Sequence, residues 1–124
     1  MITITPRRTS SGSKILQLIH SGDDSQSKVI WSDDLAKYVG KWIHIVAEYT
    51  CQDGARFHLR IKEKESGVEL MNYTNGNIDL WRSGNSYLRP KWGIYRSLND
   101  KGNLRDENVY FNNFCLAKSE PLCT

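Results

Sequence analysis

The stretch WIHIVAEYTCQDGARFHLRIK, residues 42–62, decides the fold class. Trp42 to Thr50 is rich in β-branched and aromatic residues, the side chains that fit a pleated, half-buried surface. Gln52-Asp53-Gly54 follows, and Asp-Gly between two such runs is a strong hairpin signal. From Arg56 to Lys62 the alternation has no fault. Phe57, Leu59 and Ile61 share one face, and Arg56, His58, Arg60 and Lys62 share the other. The segment therefore predicts an antiparallel hairpin whose second strand has one dry and one basic face.

Outward from the hairpin the same period of two recurs, with no long stretch of helical period. Ile2–Thr5 alternates and stops at Pro6; Lys14–His20 and Lys28–Trp31 are further strands, separated by Ser/Gly- and Asp-rich turns. Val68–Tyr73 follows the hairpin, then a long polar stretch. Pro90–Ser97 (PKWGIYRS) and Val109–Lys118 (VYFNNFCLAK) read as the last strands, joined by a polar loop over residues 98–108. Asn112-Asn113 interrupts the final alternation as a bulge would. The one helix candidate is the short Asp33–Tyr38. With no repeat, linker or low-complexity tract, residues 1–124 read as a single all-β domain.

Composition narrows the function classes. A net charge of +3 permits an acidic partner but is too weak to argue for nucleic acid. No apolar run reaches the ~20 residues a membrane-spanning helix needs, so no membrane partner is expected. The N-terminal MITITPRRTSS lacks the apolar core of a signal peptide. Cys51, Cys115 and Cys123 form an odd set without a CxxC pair, which argues against a zinc site. Cys115 and Cys123 can close a small loop in an oxidising compartment; the alternative is one buried and one free thiol. Asn72-Tyr73-Thr74 matches the glycosylation sequon. Signatures of serine hydrolases, nucleotide-binding loops and zincins are absent from the sequence.

Chemistry-bearing residues concentrate in Lys91-Trp92-Gly93-Ile94-Tyr95-Arg96. On a strand Lys91, Gly93 and Tyr95 point one way, and a Lys and a Tyr beside a Gly make a floor on which a bulky ligand lies close to the backbone. The lysine can neutralise a carboxylate or sulfate and the phenol can move a proton; a solvated face with a bulge at Gly93 is the alternative. His44 alternates with Trp42 and Val46, which predicts a packed core histidine. The row Arg56, His58, Arg60 and Lys62 can track an anionic chain or serve as a solvated outer face. Trp81, Trp92 and Tyr87 can stack on sugar rings, with core packing the alternative for the tryptophans. Asp23, Asp24, Asp33 and Asp34 are candidates for a structural calcium ion, against the plain reading of solvated turns; no other cofactor is called for.

The run PKWGIYRS resembles the K-x-G-I-Y-R strand near the C-terminus of the heparinase I and glucuronan lyase families of polysaccharide lyases. Glu107–Asn113 stands where those families end in a "v-Y-f-D-n" strand, Gly40–Val46 matches their "G-K-W-h-x-h-v", and Leu18-Ile19-His20 falls at their "Q-x-H". The likeness runs from about Ile15 to Lys118. It implies a concanavalin-like jelly roll, an antiparallel β-sandwich, here lacking N-terminal strands. It further implies a secreted protein that binds, and cleaves by β-elimination, a uronic-acid polysaccharide. By resemblance Tyr95 is the acid, or both acid and base, Lys91 holds the anionic sugar and His20 is the base or a carboxylate partner. Arg96, Gln17, Trp81, Arg60 and His58 are expected to bind substrate. Two departures stand against catalysis: the family's Gln falls at Leu18, with Gln17 on the opposite side of its strand, and nothing corresponds to the family's N-terminal half. A fragment, a sandwich completed by a second copy, and a non-catalytic carbohydrate-binding module all fit those departures.

Overall fold

A computed structural model of the chain describes residues 1–24, 26–118 and 120–123, and it divides into two compact units, Met1–Leu88 and Arg89–Thr124. The first unit is all-β. It holds two three-stranded antiparallel sheets, β1 (Ile2–Arg8), β2 (Lys14–Ser21) and β3 (Ser27–Asp34) in one, β4 (Ile43–Tyr49), β5 (Ala55–Glu63) and β6 (Glu69–Ile78) in the other. Every strand pairs with its neighbour in sequence, so each sheet is a meander with its second strand in the centre.

The central strands carry the core. Leu16 and Leu18 of β2, with Ala55, Phe57, Leu59 and Ile61 of β5, Met71 and Ile78 of β6, Tyr38 and Leu80, form one buried cluster drawn from both sheets. The alternation read along β5 is the alternation observed: Phe57, Leu59 and Ile61 are buried, and Arg56, His58, Arg60 and Lys62 lie on the other side. The turn before it is as expected. Gly54 sits at a φ of +63°, the left-handed region a glycine enters without steric cost, and Thr50 N donates to Arg56 O at 3.2 Å to close the hairpin.

Several expectations need correction. β1 does not stop at Pro6 but continues to Arg8. It is an edge strand, where the missing proline N–H can face solvent rather than a partner. β6 extends to Ile78, past the expected Tyr73, because a register shift against β5 between Ala55 and Phe57 carries the ladder past Asn75 to Ile78. The helix candidate is one 3-10 turn, Leu35–Lys37, capped by Asp34 Oδ1 on Ala36 N at 2.9 Å. His44 is exposed rather than packed. Pairing places it opposite Lys62 and places Ile43, Ile45 and Ala47 opposite Glu63, Ile61 and Leu59, so the inward face of β4 is the isoleucine face. That face outruns the core, leaving Ile45 43% and Tyr49 40% exposed.

Segments 90–97 and 109–118 are not strands. Gly93 at φ +130° and Asn113 at φ 56° leave the extended region in the middle of each. The two stretches nevertheless run past each other within the second unit: Trp92 stacks on Phe114 with centroids 4.2 Å apart, and Arg96 pairs with Glu107 at 2.8 Å. Cys115 and Cys123 form a disulfide with Cα atoms 5.5 Å apart, while Cys51 is an exposed free thiol. No helix of the described residues is long and apolar enough to cross a membrane.

Leu18 has no exposed surface and sits where the two sheets meet. Leu18→Ala is expected to lower the unfolding free energy by about 2–5 kcal/mol, the range for truncating a buried leucine. Urea denaturation followed by tryptophan fluorescence measures it, and a loss below about 1 kcal/mol would mean that the sheets do not close on this side chain.

Candidate functional site

Two surfaces of the first unit gather polar side chains. The first lies at one end of the sheets, beside His20. This residue follows Leu16 and Leu18 on the inward face of β2 and stands at the rim of the core. Its Nε2 lies 2.6 Å from the carbonyl oxygen of Asp79, the residue just after β6, and thereby joins one sheet to the other. A carbonyl only accepts, so Nε2 carries the proton and a neutral ring presents its lone pair at Nδ1. Asp79 is a hub. Its Oδ2 accepts from Asp23 N at 3.0 Å and its Oδ1 from Trp81 N at 3.1 Å. Asp23 in turn accepts from Ser83 N at 3.1 Å and from Ser83 Oγ at 2.9 Å. Gly22 makes the approach feasible, because a Cβ there would come within 3.0 Å of Asp79 Oδ2.

A shallow, open depression of about 300 Å³ lies here, lined by His20, Gly22, Asp23, Asp24, Gln26, Lys28 and Asp79. Three carboxylates against one lysine make it a poor seat for a carboxylate-bearing sugar. Asp53, on the β4–β5 turn, adds a fourth. Its hydrogen bond with Asp79, with burial and the charges of Asp79 and Asp23 adding to it, holds its pKa above the ordinary carboxylate value. Asp79 itself is lowered: burial acts to raise it, but the bonds from Asp53, Asp23 N and Trp81 N and the charge of His20 outweigh that.

The acids singled out as calcium candidates have partners within the chain. Asp33 is held by Lys37 Nζ at 2.7 Å and by the Tyr38 hydroxyl at 3.2 Å. These bonds and that of Asp34 N overcome burial and lower its pKa. Burial and the Asp33 charge push the Tyr38 phenol up to about 12. Asp34 caps the 3-10 turn and Asp23 holds Ser83. Among the described residues no group of three or more His, Cys, Asp or Glu side chains is placed to hold a metal ion.

The second surface is the outer face of the β4–β5–β6 sheet. His58 Nδ1 lies 3.0 Å from Glu48 Oε2 on β4, and Arg60 Nη2 approaches the same oxygen at 3.6 Å. On the other flank His58 Nε2 lies 2.9 Å from Asn72 Oδ1, and Asn72 Nδ2 donates to Glu69 Oε1 at 3.2 Å. Arg56 and Lys62, exposed at the two ends of the row, make no ion pair with a described residue.

Of the residues singled out from the sequence, His58 and Arg60 are brought together, around Glu48. His20 stands apart from them in the other sheet's central strand. Gln17 is half-buried and alternates to the side of β2 opposite Leu16 and Leu18. Trp81 is half-buried beside the Asp79 hub. Lys91, Tyr95 and Arg96 belong to the second unit. There Lys91 is exposed, the Tyr95 side chain is fully exposed at 102%, and Arg96 is held by Glu107 and by the carbonyl of Arg105. Sequence reasoning missed Glu48, Asp79 and Ser83. Glu48 was within reach, since a turn at Asp53-Gly54 sets it opposite His58; Asp79 and Ser83 carry no local signal.

Because the folded state resists ionising Asp53, that group favours folding below the ordinary carboxylate pKa and opposes it once ionised. Asp53→Asn is therefore expected to raise the melting temperature at pH 7, with the gain gone near pH 3, where the carboxyl is protonated. Calorimetry at the two pH values checks this, and an equal or lower melting temperature at pH 7 would contradict it. No protein-family model, curated protein or solved structure matches this chain.

Proposed function

We propose that this chain binds an acidic, uronate-containing polysaccharide along the outer face of the β4–β5–β6 sheet, on a two-sheet scaffold of the jelly-roll kind. The observation that carries the proposal is the cationic row Arg56, His58, Arg60 and Lys62 on one side of β5. Residues two apart on a strand repeat every ~7 Å, so the row presents charge over ~20 Å, several sugar units of an extended chain. Asn72 and Thr74 stand opposite Arg60 and His58 on β6, adding amide and hydroxyl groups suited to sugar hydroxyls. The acidic depression at His20 has the wrong charge for the same polymer.

β-Elimination is the finer reading and rests on the resemblance of Lys91–Arg96 and His20 to the lyase motifs. A base would take the C5 proton, and the electron pair would form the C4–C5 double bond. The C4–oxygen bond would break, with Tyr95 protonating the leaving oxygen. The Tyr95 phenol is exposed and free to take part in proton transfer. One observation favours binding without cleavage: Leu18, at the position of the motif's carboxylate-neutralising glutamine, is wholly buried in the core.

The test is retention on immobilised polyglucuronate or heparin against a neutral dextran control, over a salt series. Salt-sensitive retention on the acidic polymers is expected, weakened on the order of fivefold in the Arg56→Ala/Lys62→Ala double variant. Equal retention on dextran, or none on either acid polymer, would remove the proposal. Ultraviolet absorbance of an unsaturated uronate, with Tyr95→Phe as control, separates a lyase from a binding module.

A further inference from the structure

The arrangement around His58 carries a second consequence. Both ring nitrogens face acceptors: Nδ1 the carboxylate of Glu48 at 3.0 Å, Nε2 the Oδ1 of Asn72 at 2.9 Å. The orientation of the Asn72 amide is set from its far side, because its Nδ2 donates to Glu69 Oε1 at 3.2 Å. Two acceptors require two N–H donors, and only the imidazolium has both. Both contacts are satisfied together only by the charged ring, which bridges β4 and β6.

We infer that the cationic row on β5 is an anion-binding surface gated by the protonation of His58, binding polyanion more tightly in mildly acidic than in mildly alkaline solution. The inference rests on the polysaccharide reading of that surface and adds its regulation. Glu48 is a built-in competitor for the row, since its carboxylate sits against His58 and Arg60 where an anionic sugar would otherwise sit. With His58 charged, the row carries four cations and Glu48 is neutralised by a direct partner. With His58 neutral, one cation is lost, and Nδ1 and Nε2 can no longer both donate. The one remaining N–H can still reach Glu48, but the charge beside that carboxylate is gone. Arg60 stands at the longer 3.6 Å, and more of the Glu48 field falls on the incoming anion.

The charged groups around the row are few enough to assign. On β5 these are Arg56, Arg60 and Lys62; on β4, Glu48 and the exposed His44, which stands opposite Lys62; on β6, Glu69 behind Asn72. Arginine and lysine stay charged from pH 5 to 8 and carboxylates stay ionised, on the protein and on a uronate alike, whereas imidazole is the side chain whose charge changes there. His44 is the one competing explanation on this face.

The experiment is affinity for a fluorescently end-labelled oligoglucuronate at pH 5.5 and pH 8.0, at fixed low salt. The proteins are wild type, His58→Gln and His44→Gln, with folding of each checked by circular dichroism. Wild type and His44→Gln should bind about two- to fivefold more tightly at pH 5.5, the size of one solvent-screened ion pair, and His58→Gln should bind equally at both. Binding that is flat with pH in wild type, or a pH effect that survives His58→Gln, overturns the inference and leaves the polysaccharide surface standing. Absence of binding at either pH sinks the polysaccharide reading, and the gate with it. Ring 15N shifts of His58 give a ligand-free check: a neutral single-tautomer ring at pH 5.5 would overturn the gate by itself.

Discussion

In the native state the two sheets of the first unit depend on one shared apolar cluster. Each is a short meander of three strands, and three such strands standing alone would leave an entire apolar face in water. Leu16 and Leu18 from the centre of one sheet and Phe57, Leu59 and Ile61 from the centre of the other enter a single cluster. Burying side chains of this size contributes roughly 1.5–3 kcal/mol each, so the cluster outweighs any single polar contact in the unit. The polar ties between the sheets sit at its margins. The Tyr38 hydroxyl reaches Asp33 on one side and the Leu70 carbonyl on the other, and His20 reaches Asp79. These ties set how the sheets meet; the cluster is the reason they meet.

How much of this was legible in the sequence follows from which interactions are local. The β4–β5 hairpin and the two faces of β5 could be read because alternation and an Asp-Gly turn act within a few residues. His44 was misjudged because its apolar neighbours at alternate positions, Trp42 and Val46, suggested an inward face, when Ile43, Ile45 and Ala47 formed the alternative set. The length of β6 was hidden by a register shift, which no period of two can express. Segments 90–97 and 109–118 show the opposite failure. Their alternation and β-branched content are genuine, but a strand is a pairing, and Gly93 and Asn113 take dihedrals that end the extension.

The two polar surfaces differ in the same way. A net charge of +3 conceals their segregation, with carboxylates collected at the end of the sheets near His20 and cations laid along β5. The cationic row is legible because its members are spaced by two in one strand. The carboxylate end is assembled from the β2–β3 turn, the β4–β5 turn and the residues after β6, and no short window contains it. The likeness to lyase motifs pointed to His20, Lys91 and Tyr95. The first unit's own charge distribution instead lays its cations along β5.

The Asp23–Ser83 and His20–Asp79 bonds also bear on the order in which the chain folds. Within the sheets, paired strands are adjacent in sequence, so each meander closes through short loops. The bonds at the carboxylate end join residues 59 and 60 positions apart. Closing so long a loop costs entropy before any contact offsets it, and such non-local contacts are the ones that slow folding. The two meanders can therefore form early and independently. The rate of reaching the native state is then set by their docking, at which moment the carboxylate end is first assembled. Until that docking the apolar faces of both sheets are open to solvent and to other chains, and the chain is most exposed to aggregation while it waits for its two halves to meet.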